Sequence, residues 1–277
     1  MFERIPARVL HDLVRDVFTG AGLSDDHAGT IADALVWADL RGDGPHGVAQ
    51  VPEHLGLLRD GTANPHPDIT VDQPRPAIAV VEADAAPGPV ALSPAMDQAV
   101  SMARSAGVAW VAVRGTVAPG ALGHYTSRAA DYGMAAIGVA DGGLLSVAVP
   151  AGRHPTVLLD AAGAVLGLGR TARERFGPGL PAELTLVFEL LAGGLTANPV
   201  VPARGDRRNA ILTAVDISAF LPVEQFRAIV DETLDALEPI APSGEPAARV
   251  LADRLANGVP VPLPLLGKLQ HLATAAA

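Results

Sequence analysis

The residues best placed to do chemistry lie in the run Asp39-Leu40-Arg41-Gly42-Asp43-Gly44-Pro45-His46-Gly47. Three glycines and a proline carry one histidine and one arginine along a tight path after a helix end. An imidazole on such a loop can be presented to a cleft as a general acid or base, or it can simply cap the loop. Arg41 can bind a carboxylate, or serve as the cation at the helix C-terminus. A second group, Gly120-Ala121-Leu122-Gly123-His124-Tyr125, puts a histidine and a tyrosine at a helix start, where the backbone dipole attracts anions and lowers an imidazole pKa. A third, Asp141-Gly142-Gly143, follows a strand directly, where α/β proteins commonly place their chemistry, although a plain acidic turn reads the same way. Neither the Gly120-Ala121-Leu122-Gly123 pattern nor Leu166-Gly167-Leu168-Gly169 is a dinucleotide fingerprint with a ribose-binding acid after it. No P-loop, zinc-protease helix or nucleophile elbow is present.

The elements that must position these groups follow from hydrophobic periodicity. Leu10, Leu13, Val14, Val17 and Phe18 share one helix face, so Met1–Phe18 reads as an amphipathic helix closed by Gly20 and Gly22. Ser24 caps a second helix that ends at Arg41-Gly42, and Val51–Arg59 reads as a third. Strands are expected at Ala77–Glu82, Val108–Arg114, Ala135–Ala140, Val157–Asp160 and Ala210–Asp216. Helices are expected at Pro94–Ala106, Leu122–Tyr132, Leu184–Gly193, Val223–Leu237 and Pro246–Asn257, before a proline-rich tail. Strands alternate with helices, so the class is α/β. Asp141–Arg153 and Gly163–Pro181, rich in glycine and proline, read as active-site loops or mere connectors.

Composition narrows the function. A chain of 277 residues, 49% hydrophobic, has ample material for a core. Its net charge of −10 argues against nucleic acid and anionic membranes as partners. The absence of cysteine excludes disulfides, thiolate nucleophiles and zinc–sulfur sites. No cationic leader precedes an apolar segment and no long apolar run lacks charge or proline, so a cytoplasmic protein that does not cross a membrane is expected.

Several stretches recur together in one family. They are Ala38–Gly42 with His46-Gly47, Leu58 to Gly61, Ala95-Met96 with Ala99, Val111–Arg114 with Gly120, Tyr125 and Gly133-Met134, Glu189–Gly193, Gly244-Glu245, and Arg254–Val259. In this order they resemble the malate/L-lactate dehydrogenase-like family of NAD(P)-dependent oxidoreductases. The resemblance implies a non-Rossmann α/β fold, a mixed sheet with flanking helices, and a homodimer. It divides the chain into an N-terminal helical part (1–76), a central α/β domain (77–216), and a C-terminal helical part (217–277) packed on the first.

The same resemblance shows losses. The family's SHG motif, whose histidine donates a proton or binds substrate, matches Pro45-His46-Gly47, with serine replaced by proline. The substrate-binding arginine four residues later is Gln50, and the second catalytic histidine is Ala118. The GTNP segment that should follow Pro150–Arg153 is missing. The segment matching the family's GGYKGYGL, residues 177–184, has Leu180 for the cofactor-contacting lysine and Glu183 for a glycine. The chain is also several dozen residues shorter than typical members. A pyrophosphate needs N–H groups or cations around it, and hydride transfer needs a proton donor and a carboxylate clamp. These losses point to an enzyme that keeps the scaffold and has lost the NAD(P)H site. Such an enzyme would carry out cofactor-independent proton transfer on a small molecule: isomerisation, elimination or cyclisation in specialised metabolism. The candidate catalytic residues are then His46, Asp141, His124 and Tyr125, with Arg41, Gln50 and His54 binding substrate and no cofactor or metal expected. The alternative is a divergent NADH- or NADPH-dependent reductase of a 2-oxo acid, ketone or cyclic imine. A second alternative is a non-catalytic binding protein.

Overall fold

The computed structural model describes residues 1–141, 144–161, 195, 207–236 and 245–274. Its centre is a seven-stranded sheet in the order β2-β3-β4-β8-β5-β6-β7. The strands are β2 (Thr70–Arg75), β3 (Ile78–Glu82), β4 (Val108–Val117), β5 (Met134–Ala140), β6 (Leu144–Val149), β7 (Val157–Ala161) and β8 (Arg207–Asp216). Among the described strands of this sheet, only β3 and β4 pair in parallel; the other neighbours are antiparallel. The sheet is therefore mixed, and the α/β class expected from the sequence holds.

Helices α4 (Gly88–Ala106) and α5 (Leu122–Asp131) cover one face of the sheet. Their alanine-rich inner sides let helix and strand approach closely, with Ala91, Ala95, Ala99 and Ala103 against Ala109, Val111 and Val113. A second layer is made of α1 (Ala7–Gly20), α2 (Asp25–Leu40) and α3 (Val51–Arg59). Leu10, Val14 and Phe18 of α1 are fully buried. At roughly 1.5–3 kcal/mol for each such side chain, this stripe fixes α1 against α2. The chain closes with α6 (Val223–Ala236), α7 (Glu245–Asn257), β9 (Val259–Pro262) and α8 (Leu263–Thr274). Strand β9 pairs antiparallel with β1 (Phe2–Ile5) in a separate two-stranded sheet.

Several expectations need correction. The first helix starts at Ala7, because Pro6 has no N–H to give a helix interior and residues 2–5 pair with β9 instead. Helix α4 starts at Gly88, with Pro89 in its first turn and Pro94 inside it. The stretch Asp141–Arg153 is no mere connector, since it contains β6. The proline-rich tail holds β9 and α8. The expected helix Leu184–Gly193 and the loop Gly163–Pro181 lie outside the described residues.

The backbone of the short link from β6 to β7 is held by a side chain of α6. The buried Asp231 carboxylate on α6 accepts hydrogen bonds from the backbone N–H groups of Gly152, Arg153 and His154 at 3.1, 2.7 and 3.3 Å. Three donors keep that carboxyl below the usual carboxylate range.

Candidate active site

Helix α2 is followed by Arg41 and Gly42, whose left-handed φ of 88° lets the Asp43 N–H turn back to the Ala38 carbonyl. One 3₁₀ turn, Gly44–His46, follows. The His46 N–H donates to the Asp43 carbonyl, and its Nδ1 lies 2.8 Å from Asp43 Oδ2. Beneath the turn, the buried Asp39 carboxylate accepts the Val48 N–H at 2.8 Å. Gly47 makes this possible, because a Cβ there would stand 2.3 Å from that carboxyl group. Burial pushes Asp39 up to about 6, against the Val48 N–H and the charge of Arg254. Arg254 of α7 also donates to the Asp39 carbonyl. Gln50 folds back, its Nε2 donating to the Pro45 carbonyl at 2.7 Å.

A second carboxylate faces this loop from β7. Asp160 is buried and accepts the Gly123 N–H, at the start of α5, at 2.8 Å. Gly123 has no room for a side chain, since a Cβ would lie 2.5 Å from Asp160 Oδ2 and 3.0 Å from Trp37. Burial raises Asp160 to about 6; the Gly123 N–H and His46 pull it down, while Asp43 raises it. His46 is raised above its ordinary value chiefly by its hydrogen bond to Asp43, against desolvation, with the charges of Asp43 and Asp160 adding. Carboxylates thus favour the charged form of this imidazole, and a charged imidazole can deliver a proton.

Trp37 joins this pair to a third set of groups. The Arg41 guanidinium lies 4.2 Å from the centre of the Trp37 ring system, and the His124 ring meets Trp37 edge-on at 5.6 Å. His124 is buried, and neither ring nitrogen has a hydrogen-bond partner among the described residues. Burial, with the charges of Arg128 and Arg41, pushes it down to about 3, so it is neutral. Arg41 is lowered by burial against the charge of Asp131.

The remaining candidates lie in other settings. Tyr125 is fully buried and its hydroxyl donates to the Pro119 carbonyl at 2.8 Å; burial raises its pKa, so it stays a phenol. Asp141 Oδ2 accepts from the backbone N–H and the Nδ2 of Asn209, lacing β5 to β8. His54 is buried edge-on against Phe18 and pushed down to about 4 by burial. Sequence reasoning missed Asp43, Asp160 and Trp37 as site residues. An acid closing the strand Val157–Asp160 was the one available signal, of the same kind that singled out Asp141.

Comparison with known proteins decides the family. The model of the malate/L-lactate dehydrogenase family matches residues 5–157, more than half of the chain. The chain belongs to that family. A malate dehydrogenase of Pyrococcus abyssi is 26% identical over 98% of this chain and 94% of its own length. That alignment spans 343 positions, so the relative carries internal segments absent here. A ureidoglycolate dehydrogenase (NAD(+)) of Escherichia coli O157:H7 is 33% identical over 48% of this chain and 38% of its own length. The solved malate dehydrogenase of Pyrococcus horikoshii OT3 superposes with a TM-score of 0.87 at 23% identity, covering 100% of this chain and 96% of that one.

These relatives overturn the expectation of a cofactor-independent enzyme with no nicotinamide. Members of the malate/L-lactate dehydrogenase family similar to this chain are dehydrogenases, one of them NAD(+)-dependent by name. The chain is an enzyme on a dehydrogenase scaffold, and a redox cofactor is expected.

The described residues of this family member fit such a nucleotide at the loop from β4 to α5. Gly115, Ala118 and Gly120 all have positive φ, and a Cβ on Gly120 would meet nothing. The N–H groups of Gly120, Ala121 and Leu122 have no acceptor among the described residues. N–H groups ahead of a helix N-terminus suit phosphate oxygens. They are backbone donors, so the replacement of a histidine by Ala118 leaves them in place. Leu180 and Glu183 lie outside the described residues.

Proposed function

We propose that this chain is an NAD(P)-dependent oxidoreductase that interconverts a small 2-hydroxy acid and the matching 2-oxo acid. The observation that carries the reading is His46, half-buried on its glycine loop, hydrogen-bonded to Asp43 and faced by the buried Asp160. A proton donor beside a carbonyl is what reduction of a 2-oxo acid needs from the protein. Malate and ureidoglycolate, named in the relatives, are both 2-hydroxy acids, which supports that substrate class.

When bound, a nicotinamide dinucleotide supplies the hydride in reduction and takes it up in oxidation; Gly120, Ala121 and Leu122 would hold its phosphates. His46 gives its Nε2 proton to the substrate oxygen in reduction and takes the hydroxyl proton in oxidation. Arg41 supplies the positive charge for the substrate carboxylate, since Gln50 stands where the family has an arginine and is tied to Pro45. The Trp37 ring is an apolar wall that keeps water from the polar groups.

The working unit in this proposal is a homodimer. Ile78, Trp110 and Ile137 lie in one cross-strand row on the sheet face away from α4 and α5, and all three are exposed. A second copy would cover them. Residues 1–76 and 217–277 are read as the parts flanking the central 77–216 domain, joined by the β1–β9 pair.

Titration with NADH and NADPH, followed by nicotinamide fluorescence, tests the reading. Saturable binding of one of them, tighter than about 1 mM, is expected. It should be joined by reduction of NAD+ or NADP+ with one of malate, lactate, sulfolactate or ureidoglycolate. Failure of both nucleotides to bind at millimolar concentration would overturn it.

A further inference from the structure

We propose that Asp43 is the positioning residue of His46: its carboxylate holds the imidazole with the proton on Nδ1, so that Nε2 alone meets the substrate. The geometry is local. Asp43 grips His46 twice, by its carbonyl on the His46 N–H at 3.1 Å and by Oδ2 on Nδ1 at 2.8 Å. A carboxylate accepts and cannot donate, so the ring nitrogen facing it must carry hydrogen. The other nitrogen is then the acceptor in the neutral ring and the outward donor in the charged one. Pro45, between the two, has no N–H and a fixed φ, so the turn cannot unwind to release the ring.

Other charged groups near the ring are differently engaged. Asp160, facing from β7, accepts the Gly123 N–H and acts on His46 through space. Asp39 of α2 is spent on the Val48 N–H and acts on Asp43 rather than on the ring, with Arg254 of α7 beside it. Arg41, at the end of α2, lies over Trp37. Among the described residues, only Asp43 makes a hydrogen bond to the imidazole. The family motif has a serine at position 45, where this chain has proline, so orientation falls to a carboxylate two residues earlier.

The test has an arm that needs no substrate. Long-range nitrogen–proton NMR spectra report the tautomer and titration of each histidine, with the His46 signals identified by their loss in His46→Gln. The expected wild-type form is Nδ1-protonated. Asp43→Ala should release that preference and populate the Nε2-protonated form. Asp43→Asn keeps the shape and removes the charge, and should lower the His46 midpoint by about one pH unit or more. Asp160→Asn should lower it less and leave the tautomer unchanged. An unchanged tautomer in Asp43→Ala together with an unchanged midpoint in Asp43→Asn overturns the proposal. If the alanine variant does not fold, the asparagine midpoint decides alone.

The kinetic arm rests on the redox reading above. In reduction, the rate falls as pH rises through the His46 pKa, so Asp43→Asn should move that fall to lower pH. A fall at the wild-type position counts against Asp43. Absence of any dehydrogenase turnover counts against the redox reading, while the NMR arm still decides Asp43.

Discussion

His46 and His54 stand eight positions apart, and their surroundings differ in every respect that matters to an imidazole. His46 sits on a glycine turn between Asp43 and Asp160, partly open to solvent, and is raised above its ordinary pKa. His54 sits on α3, almost wholly buried against Phe18, and is pushed down to about 4 by burial. Carboxylates favour the charged form of one ring; burial disfavours the charged form of the other. The residue type gave both the same claim to function, and the environment separates them.

Substitutions can break this comparison. The largest effect is expected for His46→Ala, which should reduce turnover about 10²–10⁴-fold while the thermal midpoint stays near wild type. If stability falls instead and turnover per folded molecule survives, His46 is the structural ring of the two. His54→Ala should do the reverse, opening a void against Phe18, Ile31 and Leu57 and costing roughly 2–4 kcal/mol in a denaturant titration.

The sign of the pH dependence sharpens it. A buried histidine with a folded pKa of about 4 and an unfolded value of 6.5 contributes stability that is complete above 6.5 and lost as pH falls towards 4. His124 behaves alike, down to about 3. Asp39 and Asp160, raised from 3.8 to about 6, act oppositely and add stability as pH falls through that range. The wild-type midpoint should therefore change little between pH 6 and 4. His54→Leu removes one downward slope, so this variant should gain on wild type across the window by up to about 3 kcal/mol, read from melting curves at several pH values. His46 follows the other rule: its ion pair stabilises below 6.5 and is lost as pH rises through its raised pKa.

The smallest effects come from two glycines in the same two regions. Gly47→Ala would drive a methyl into the Asp39 carboxyl and should cost about 1–3 kcal/mol. Gly56→Ala, on α3 with nothing near its missing Cβ, should stabilise by about 0.5–1 kcal/mol. Equal melting shifts in the two variants would remove the distinction between a tight site loop and an ordinary helix.

Much of the fold was legible because periodicity reports burial. The stripe of α1, the Ser24 cap of α2 and the apolar strands β3, β4, β5 and β8 were each readable within a short window. Elements whose reason lies elsewhere in the chain were not. Strand β2 is polar, contains Pro74 and survives as an exposed edge strand. Strand β1 looked like helix because its partner lies at the far end of the chain.

The site divides the same way. His46 was visible from its glycines, whereas Asp160 acquires meaning only when β7 brings it to Gly123. The expectation of a lost cofactor failed for a related reason. It was built from side-chain substitutions, and phosphate oxygens are also satisfied by backbone N–H groups, which substitution of side chains leaves in place.

The β1–β9 pair has a consequence for the order in which the protein can be made. Phe2–Ile5 are synthesised well before their hydrogen-bonding partners, Val259–Pro262, which emerge some 250 residues later. Until then the first strand exists as an unsatisfied edge, and α1 lacks the α8 surface it packs against. The layer carrying His46 is thus synthesised well before the segments that seal it. A nascent chain halted before residue 259 should leave the strand Phe2–Ile5 open to protease, and emergence of Val259–Pro262 should close it.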